Sequence, residues 1–496
     1  MRFITTVGLA CIGLLCGTAG WAGPWIAPGD SALRHDIQVL ADAGVITSPV
    51  STWPLSTGDI AASLDIARPA ALTDYEMAAL QRVRRRLQTG MNMDRMGWNV
   101  DASVAAHPRL IRTFEDGPRE DAELGVGIEW TGKRFATSLQ GQWVADPSDG
   151  DEWRADQSYA GVALGNWMLA AAITDRWWGP GWQGSLIMSN NARPIPAITL
   201  ERNSTAPFET KWLSWLGSWD LMVMYGFLES NRAVPNAHFF GLRFNFKPLR
   251  NLEIGFSRTA MYCGDTQPCG LDAFLDMLIR DDDDSASIAK SNPNQLGGFD
   301  VRWSHAMFGQ PFALYTQWIG EDENGFLPTQ WMGQFGGEIW GNFGGLGSYR
   351  AFLEWTDSTC DFTLYRNIRG DHDPANGGCA YNHNTYTTGY RYRGRAIGHS
   401  TDSDSSVFTL GWLLNDNDDR SWLATVAIGN LNRHTTSTPS TVAPHKTRYR
   451  EVELVHRRTL WVGDLDVGLG YDYRKDAVTD VSNGEVRAFL EWGVKY

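Results

Sequence analysis

From about residue 96 onward, apolar and polar residues alternate with a period of two. Leu124, Val126, Ile128 and Trp130 interleave with Glu123, Gly125, Gly127 and Glu129. After a Thr131-Gly132-Lys133 turn, Phe135, Thr137, Leu139, Gly141 and Trp143 interleave with Ala136, Ser138, Gln140 and Gln142. This spacing predicts a β-hairpin. Leu242, Phe244 and Phe246 turn through Pro248–Asn251 into Leu252, Ile254 and Phe256. Phe408–Leu414 and Trp422–Ile428 repeat the pattern, as do Leu465–Tyr473. One face of each strand must therefore meet an apolar medium and the other a polar one. A soluble sandwich alternates too. Strands of nine or more residues, with charges opposite aromatic-rich faces, favour a membrane-spanning barrel with a polar interior.

Residues 30–90 carry a different period. Asp30 is placed to cap a helix over Ala32–Val45, with Leu33, Ile37, Leu40 and Ala41 on one face. Ser56 with Asp59 opens Ile60–Ala67, and Thr73 with Glu76 opens a longer helix to about Gln88. Met77, Leu80, Val83 and Leu87 form its apolar stripe. Arg82, Arg84, Arg85 and Arg86 decorate the other side, as a solvated face or as a contact to acidic barrel residues or lipid phosphates.

The first 22 residues read as a secretory signal peptide. Arg2 is the positive start, Phe3–Leu15 the apolar core, and Gly20 and Ala22 the small residues before cleavage. Cys11 and Cys16 do not fit a lipidation site. The last strand alternates Val486, Ala488, Leu490, Trp492, Val494 and Tyr496 with polar or small positions and stops on an aromatic residue. That ending resembles the signal read by the barrel-assembly machinery, which is therefore an expected partner during biogenesis. At about 10 residues per strand plus loops, the chain accommodates roughly 16–18 strands. The expected fold is all-β, a large antiparallel transmembrane barrel. Its boundaries are 1–22 signal peptide, 23–95 helical region and 96–496 barrel.

Composition narrows function more than fold. A net charge of −14 argues against nucleic acid. The 52 glycines and 23 tryptophans suit tight turns and interfacial aromatics, and equally a sugar binder. Four cysteines lie beyond the leader: Cys263, Cys269, Cys360 and Cys379. An even count in an exported chain reads as disulfides, and the local pairs Cys263–Cys269 and Cys360–Cys379 each staple one loop. Their spacing does not suit a zinc site, and no metal or cofactor is expected.

A further set of segments is more specific. The run Arg176-Trp177-Trp178-Gly179-Pro180-Gly181-Trp182-Gln183-Gly184-Ser185-Leu186 resembles the Wzi family of capsule-assembly proteins. So do Leu40–Ile46, Ser51–Leu55, Ala192-Arg193-Pro194, Ala233–His238, Gln295–Asp300 and Gly320–Pro328. These matches are collinear over roughly 30–330, and beyond them the likeness lies only in strand pattern. The resemblance implies a barrel of about 18 strands with a small helical bundle closing its periplasmic end. It implies a non-catalytic, lectin-like role anchoring capsular polysaccharide or exopolysaccharide at the cell surface. The four cysteines and Asp281–Asp284 depart from the family pattern.

Trp177, Trp178 and Trp182 can stack on sugar rings, or can pack a loop or an interfacial girdle. Glu321, Asp322 and Glu323 can accept sugar hydroxyls, or can line a solvated turn. Arg193 can clamp a uronate carboxylate, or form an ion pair within the lumen. Arg391, Arg393 and Arg395 can offset repulsion between an acidic protein and an acidic polymer. Asp281–Asp284 lacks the glycine and glutamate of a calcium loop and reads as a plain acidic segment. No G-x-S-x-G, H-E-x-x-H or P-loop occurs, so no enzyme is expected. A passive porin and an outer-membrane lipid hydrolase using a His/Ser pair are the alternatives. The expected partners are polysaccharide and outer-membrane lipid, including lipopolysaccharide, and the expected state is a monomer.

Overall fold

A computed structural model describes residues 25–68, 70, 72–90, 94, 96–279, 292–324, 327–360, 378–433 and 440–495. The expected signal peptide and the Asp281–Asp284 run lie outside the described residues.

The alternating stretches close into one antiparallel barrel. Its strands are β1 (Met96–Ala106), β2 (Ala122–Thr131), β3 (Phe135–Ala145), β4 (Trp153–Arg154 continuing as Ser158–Leu164), β5 (Trp167–Ile173) and β6 (Ala197–Arg202). Then come β7 (Ser218–Phe227), β8 (His238–Leu249), β9 (Leu252–Tyr262), β10 (Asn294–Met307), β11 (Gln310–Asn324) and β12 (Leu327–Asn342). The last are β13 (Gly347–Asp357), β14 (Ser406–Asp416), β15 (Ser421–Leu431), β16 (Thr447–Leu460), β17 (Gly463–Asp476) and β18 (Ser482–Lys495). Both segments of β4 pair with β3, so they form one interrupted strand and the ring has eighteen. The C-terminal strand closes it: β18 pairs with β1 from Asn99↔Lys495 to Ala106↔Ala488. Closure leaves no unpaired edge in an apolar medium.

The period of two sorts the side chains. On β9, Phe256 is half exposed on the outer wall, whereas Glu253 and Ser257 are buried toward the lumen. The outer wall is exposed Leu, Val, Ile and aromatic residues on nearly every strand. One end carries short connections such as 131–135, 249–252 and 460–463, the other long ones such as 107–121, 173–197 and 357–406. Exposed Trp212, Phe308 and Trp461 stand at the short-turn end, where an interfacial girdle belongs.

The N-terminal region forms α1 (Ser31–Asp42), α2 (Thr57–Asp65) and α3 (Asp74–Gly90). Asp30 accepts from the Leu33 amide at 2.8 Å and Ser56 from the Asp59 amide at 3.3 Å, as helix N-caps do. Ile37, Leu40, Ile60, Leu64, Leu80, Val83 and Leu87 pack into one core, which continues into Trp177 and Trp340 of the barrel chain. The arginine face of α3 meets barrel acids rather than solvent alone. Arg85 pairs with Asp419 at 2.5 Å, in a short turn, and Arg86 with Asp464 at 2.7 Å, at the start of β17. Arg82 pairs with Asp36 of α1 at 2.7 Å. The helices therefore sit at the short-turn end. Both predicted disulfides form, Cys263–Cys269 and Cys360–Cys379. The first staples a loop that continues into a fourth helix, α4 (Leu271–Ile279), against the outer wall of β9.

Candidate functional site: a filled lumen and its long-loop mouth

Polar positions of the inner wall hold a loop. The 173–197 connection dips into the lumen and carries the Trp-rich run. Trp177 and Trp178 pair as a short strand with Trp53 and Thr52 of the N-terminal region. Glu354 on β13 accepts from the amides of Trp182 (2.8 Å), Gln183 (3.2 Å) and Gly184 (3.2 Å). The same carboxylate accepts from Tyr315 Oη at 2.8 Å and Gln334 Nε2 at 2.6 Å. Gln317 accepts from the Leu186 amide at 2.7 Å and donates to the Trp178 carbonyl at 2.8 Å. A loop threaded into a lumen must satisfy its backbone groups, and these strand residues do so.

From the other side, Arg34 of α1 donates to the carbonyls of Pro180 and Gly181, both at 2.8 Å. Its guanidinium lies 4.3 Å from the Trp182 ring centre and 4.2 Å from that of Phe114, within cation–π reach. The Trp182 indole donates to Glu338 at 2.7 Å, and Glu338 also takes Arg302 and Arg350, each at 2.6 Å. Gly184 lies against the His399 ring, where a Cβ would fall 2.0 Å from two ring atoms. Only glycine fits there.

A second loop, 378–405, closes over the first. Tyr381 Oη donates to the Leu186 carbonyl at 2.6 Å and Tyr390 Oη to the Ile187 carbonyl at 2.9 Å. His399 is buried; Nδ1 lies 2.8 Å from Thr401 Oγ1, and burial pushes its pKa down to about 3. Trp182 packs against Tyr315, Phe352, Leu413, Leu423 and Val455 of the wall. Helices and loops thus occupy the lumen, leaving a cavity of about 400 Å³ between α1, α3 and the wall of β14–β18 at the short-turn end.

A family model described as capsule assembly protein Wzi matches residues 94–489. The chain belongs to the Wzi family. The match begins just before β1 and ends within β18, so the likeness reaches well past residue 330, further than the short motifs suggested. A solved Wzi from Escherichia coli is 27% identical and aligns over 94% of this chain and 98% of its own, with a TM-score of 0.80. It is described as an outer-membrane protein involved in group 1 capsule assembly and a carbohydrate-binding β-barrel. A Klebsiella pneumoniae relative, described as an uncharacterized 55.8 kDa protein in the cps region, is 32% identical over 348 residues. That match spans 69% of this chain and 66%, just under two thirds, of the relative. Like the solved Wzi, this chain is an outer-membrane barrel.

Within this Wzi barrel the predicted site residues separate into two groups. Trp177 and Trp178 are fully buried and Trp182 nearly so. Phe352 stacks on Trp182 and the Arg34 guanidinium lies over it, Trp177 meets Phe114 edge-on, and Trp178 packs among Leu186, Ile187 and Met188, so all three pack the lumen. Arg391 is buried in a bidentate pair with Asp402 at 2.6 and 3.0 Å. Glu321 is buried and accepts from the Tyr381 amide at 2.8 Å. The Cys360 and Cys379 sulfurs lie 3.8 and 3.6 Å from it. Those sulfurs are bonded to each other, so the trio is not a metal site. Asp322 follows on β11, with its side chain outside the described residues.

Arg193 and Arg393 come together at the long-loop mouth. Arg193 pairs with Asp149 (2.7 Å), Asp151 (3.1 Å) and Asp156 (2.9 Å). Arg393 also pairs with Asp151, and donates to Tyr392 Oη at 3.2 Å. Asp151 and Arg393 are the exposed side chains of the group, at 36% and 26%, while Arg193, Asp156 and Asp149 are largely buried. Arg395 is turned away, donating to the Leu110 carbonyl at 3.1 Å and to Asn191 Oδ1 at 3.3 Å. The three carboxylates were missed from the sequence. Their only signal was Asp149, Asp151 and Asp156 in a Gly- and Ser-containing loop, which by itself reads as an ordinary turn.

Proposed function

We propose that this Wzi protein retains capsular polysaccharide or a related exopolysaccharide at the cell surface, without catalysis. The observation that carries this reading is the filled lumen. With helices and two loops occupying the interior, the long-loop mouth is the surface left to meet a polymer. There Asp149, Asp151, Asp156, Arg193 and Arg393 form a bonded cluster, whose exposed Asp151 and Arg393 are suited to sugar hydroxyls and carboxylates. Weak contacts repeated along a polymer give retention without tight binding at any one site. In this reading the short-turn end is periplasmic, 23–95 is the plug and 96–496 the barrel, after removal of 1–22. The protein acts as a monomer, with outer-membrane lipid around it and the barrel-assembly machinery as a partner in biogenesis.

The test is the partition of surface polysaccharide between cells and medium in a deletion strain. Polymer moving to the medium at unchanged total synthesis supports anchoring; an unchanged partition sinks it. Complementation with Arg193→Ala/Arg393→Ala should restore retention only partly.

A further inference from the structure

The outer wall carries a basic ladder that the glycan reading does not use. Lys446, Arg448 and Arg450 are exposed, while the intervening Thr447 and Tyr449 are buried. Alternate residues of a strand share a face, so the three cations point outward, away from the lumen. The strand register sets Lys475 of β17 opposite Arg448 and Tyr473 opposite Arg450. On the other side stand Asn430 and Ile428 of β15. Toward the short-turn end the same face continues as exposed Val426, Val452, Leu454, Leu469 and Tyr471. The cations therefore stand where the hydrocarbon band gives way to headgroups on the long-loop side.

Counter-charge is scarce there. Lys475 holds Asp480 at 2.7 Å, on a side chain 83% exposed. Asp476 is taken by His445 at 2.9 Å, and Arg474 turns to Asp472 and Glu485. Among the described residues, Lys446, Arg448 and Arg450 form no ion pair. Like charges directly opposite each other on adjacent strands repel, and Arg448 faces Lys475 with solvent-exposed Asp480 beside them. With Lys446 and Arg450 added, the ladder keeps an excess of positive charge that a further anion would relieve.

We propose that Lys446, Arg448, Arg450 and Lys475 bind the phosphate groups of a glycolipid in the outer leaflet. Guanidinium forks match phosphate oxygens, and basic residues beside an apolar surface recognise anionic lipid heads. The adjoining apolar strip would take the acyl chains, which a free anion does not need. The inference rests on the barrel's place in the outer membrane and on the proposed outward-facing long loops, and not on glycan binding.

The experiment is native mass spectrometry of the full chain in detergent, titrated with diphosphorylated lipid A, with its dephosphorylated form, or with inorganic phosphate as competitor. The wild type should hold diphosphorylated lipid A at least about tenfold more tightly than the dephosphorylated form. Lys446→Gln/Arg448→Gln/Arg450→Gln/Lys475→Gln should lose that preference, and Arg448→Lys/Arg450→Lys should keep most of it. Should the quadruple variant lack the heat-modifiable migration of a folded barrel, Arg450→Gln alone must still weaken binding. The proposal is overturned by undiminished binding in a folded variant, by equal affinity for the dephosphorylated lipid, or by full displacement with inorganic phosphate. Cells carrying Arg448→Gln/Arg450→Gln should retain polysaccharide normally, so this idea and the glycan reading fail separately.

Discussion

Glu354 shows how much one lumen carboxylate can hold. It accepts from three consecutive loop amides, a tyrosine and a glutamine while fully enclosed. Glu354→Ala would strand several buried donors at once, each costing about 1–3 kcal/mol. The expected outcome is a lower thermal midpoint in detergent, with new protease cleavage between 176 and 190. Titration of loop groups gives a second check. His399 takes a proton near 6.5 when unfolded but only near 3 when folded. Its contribution is whole above 6.5 and lost as pH falls toward 3. Glu115, between β1 and β2, is pushed up by burial to about 7 from 4.5. The folded state holds its proton longer, so its contribution is whole below 4.5 and lost as pH rises to 7. The thermal midpoint at pH 7 minus that at pH 4 should therefore shift downward in His399→Gln and upward in Glu115→Gln, relative to the wild type. Equal pH responses in all three proteins would refute these assignments.

Helix caps and strand alternation are local, which is why they were readable. Asp30, Ser56 and the Thr73/Glu76 pair each bond within three residues. The Trp-rich run was not readable in the same way. Its partners Arg34, Gln317 and Glu354 lie more than 130 residues away in sequence, so spacing cannot separate a sugar platform from a packed loop. Arg193 and Arg393 illustrate the same limit, since three loops must fold before Asp151 joins them. The cysteines were legible because both pairs are local. The Cys360–Cys379 bond closes a segment with a separation of 19. Opening a loop of that size in the unfolded chain is worth about 3 kcal/mol. Cys360→Ser/Cys379→Ser should speed proteolysis of 378–405 while leaving barrel migration on gels unchanged.

Eighteen strands enclose room for a channel, yet the N-terminal helices and the 173–197 and 378–405 loops occupy it, bonded to one another. The helices enter from the short-turn end and hold to the barrel through Arg85–Asp419 and Arg86–Asp464. Exposed pairs of this kind are each worth about 1 kcal/mol or less, so the buried core around Leu40 and Leu80 does more to seat them. The 173–197 loop is bonded to the helical region through Arg34 and Trp53, and is held to the wall in addition by Glu354, Gln317 and Gln334. Backbone pairing of the strands, including β18 to β1, does not depend on either. Planar-bilayer recordings should therefore be silent for the wild type. Removing residues 31–90 should yield small or unsteady steps, because the loop still blocks the lumen. Also replacing 177–186 and 380–400 with glycine-serine linkers should open steady ohmic steps of porin size. Were helix deletion alone to give the full conductance, the loop would be a lining of the channel and not a second barrier. The porin reading would then regain the ground that the filled lumen takes from it.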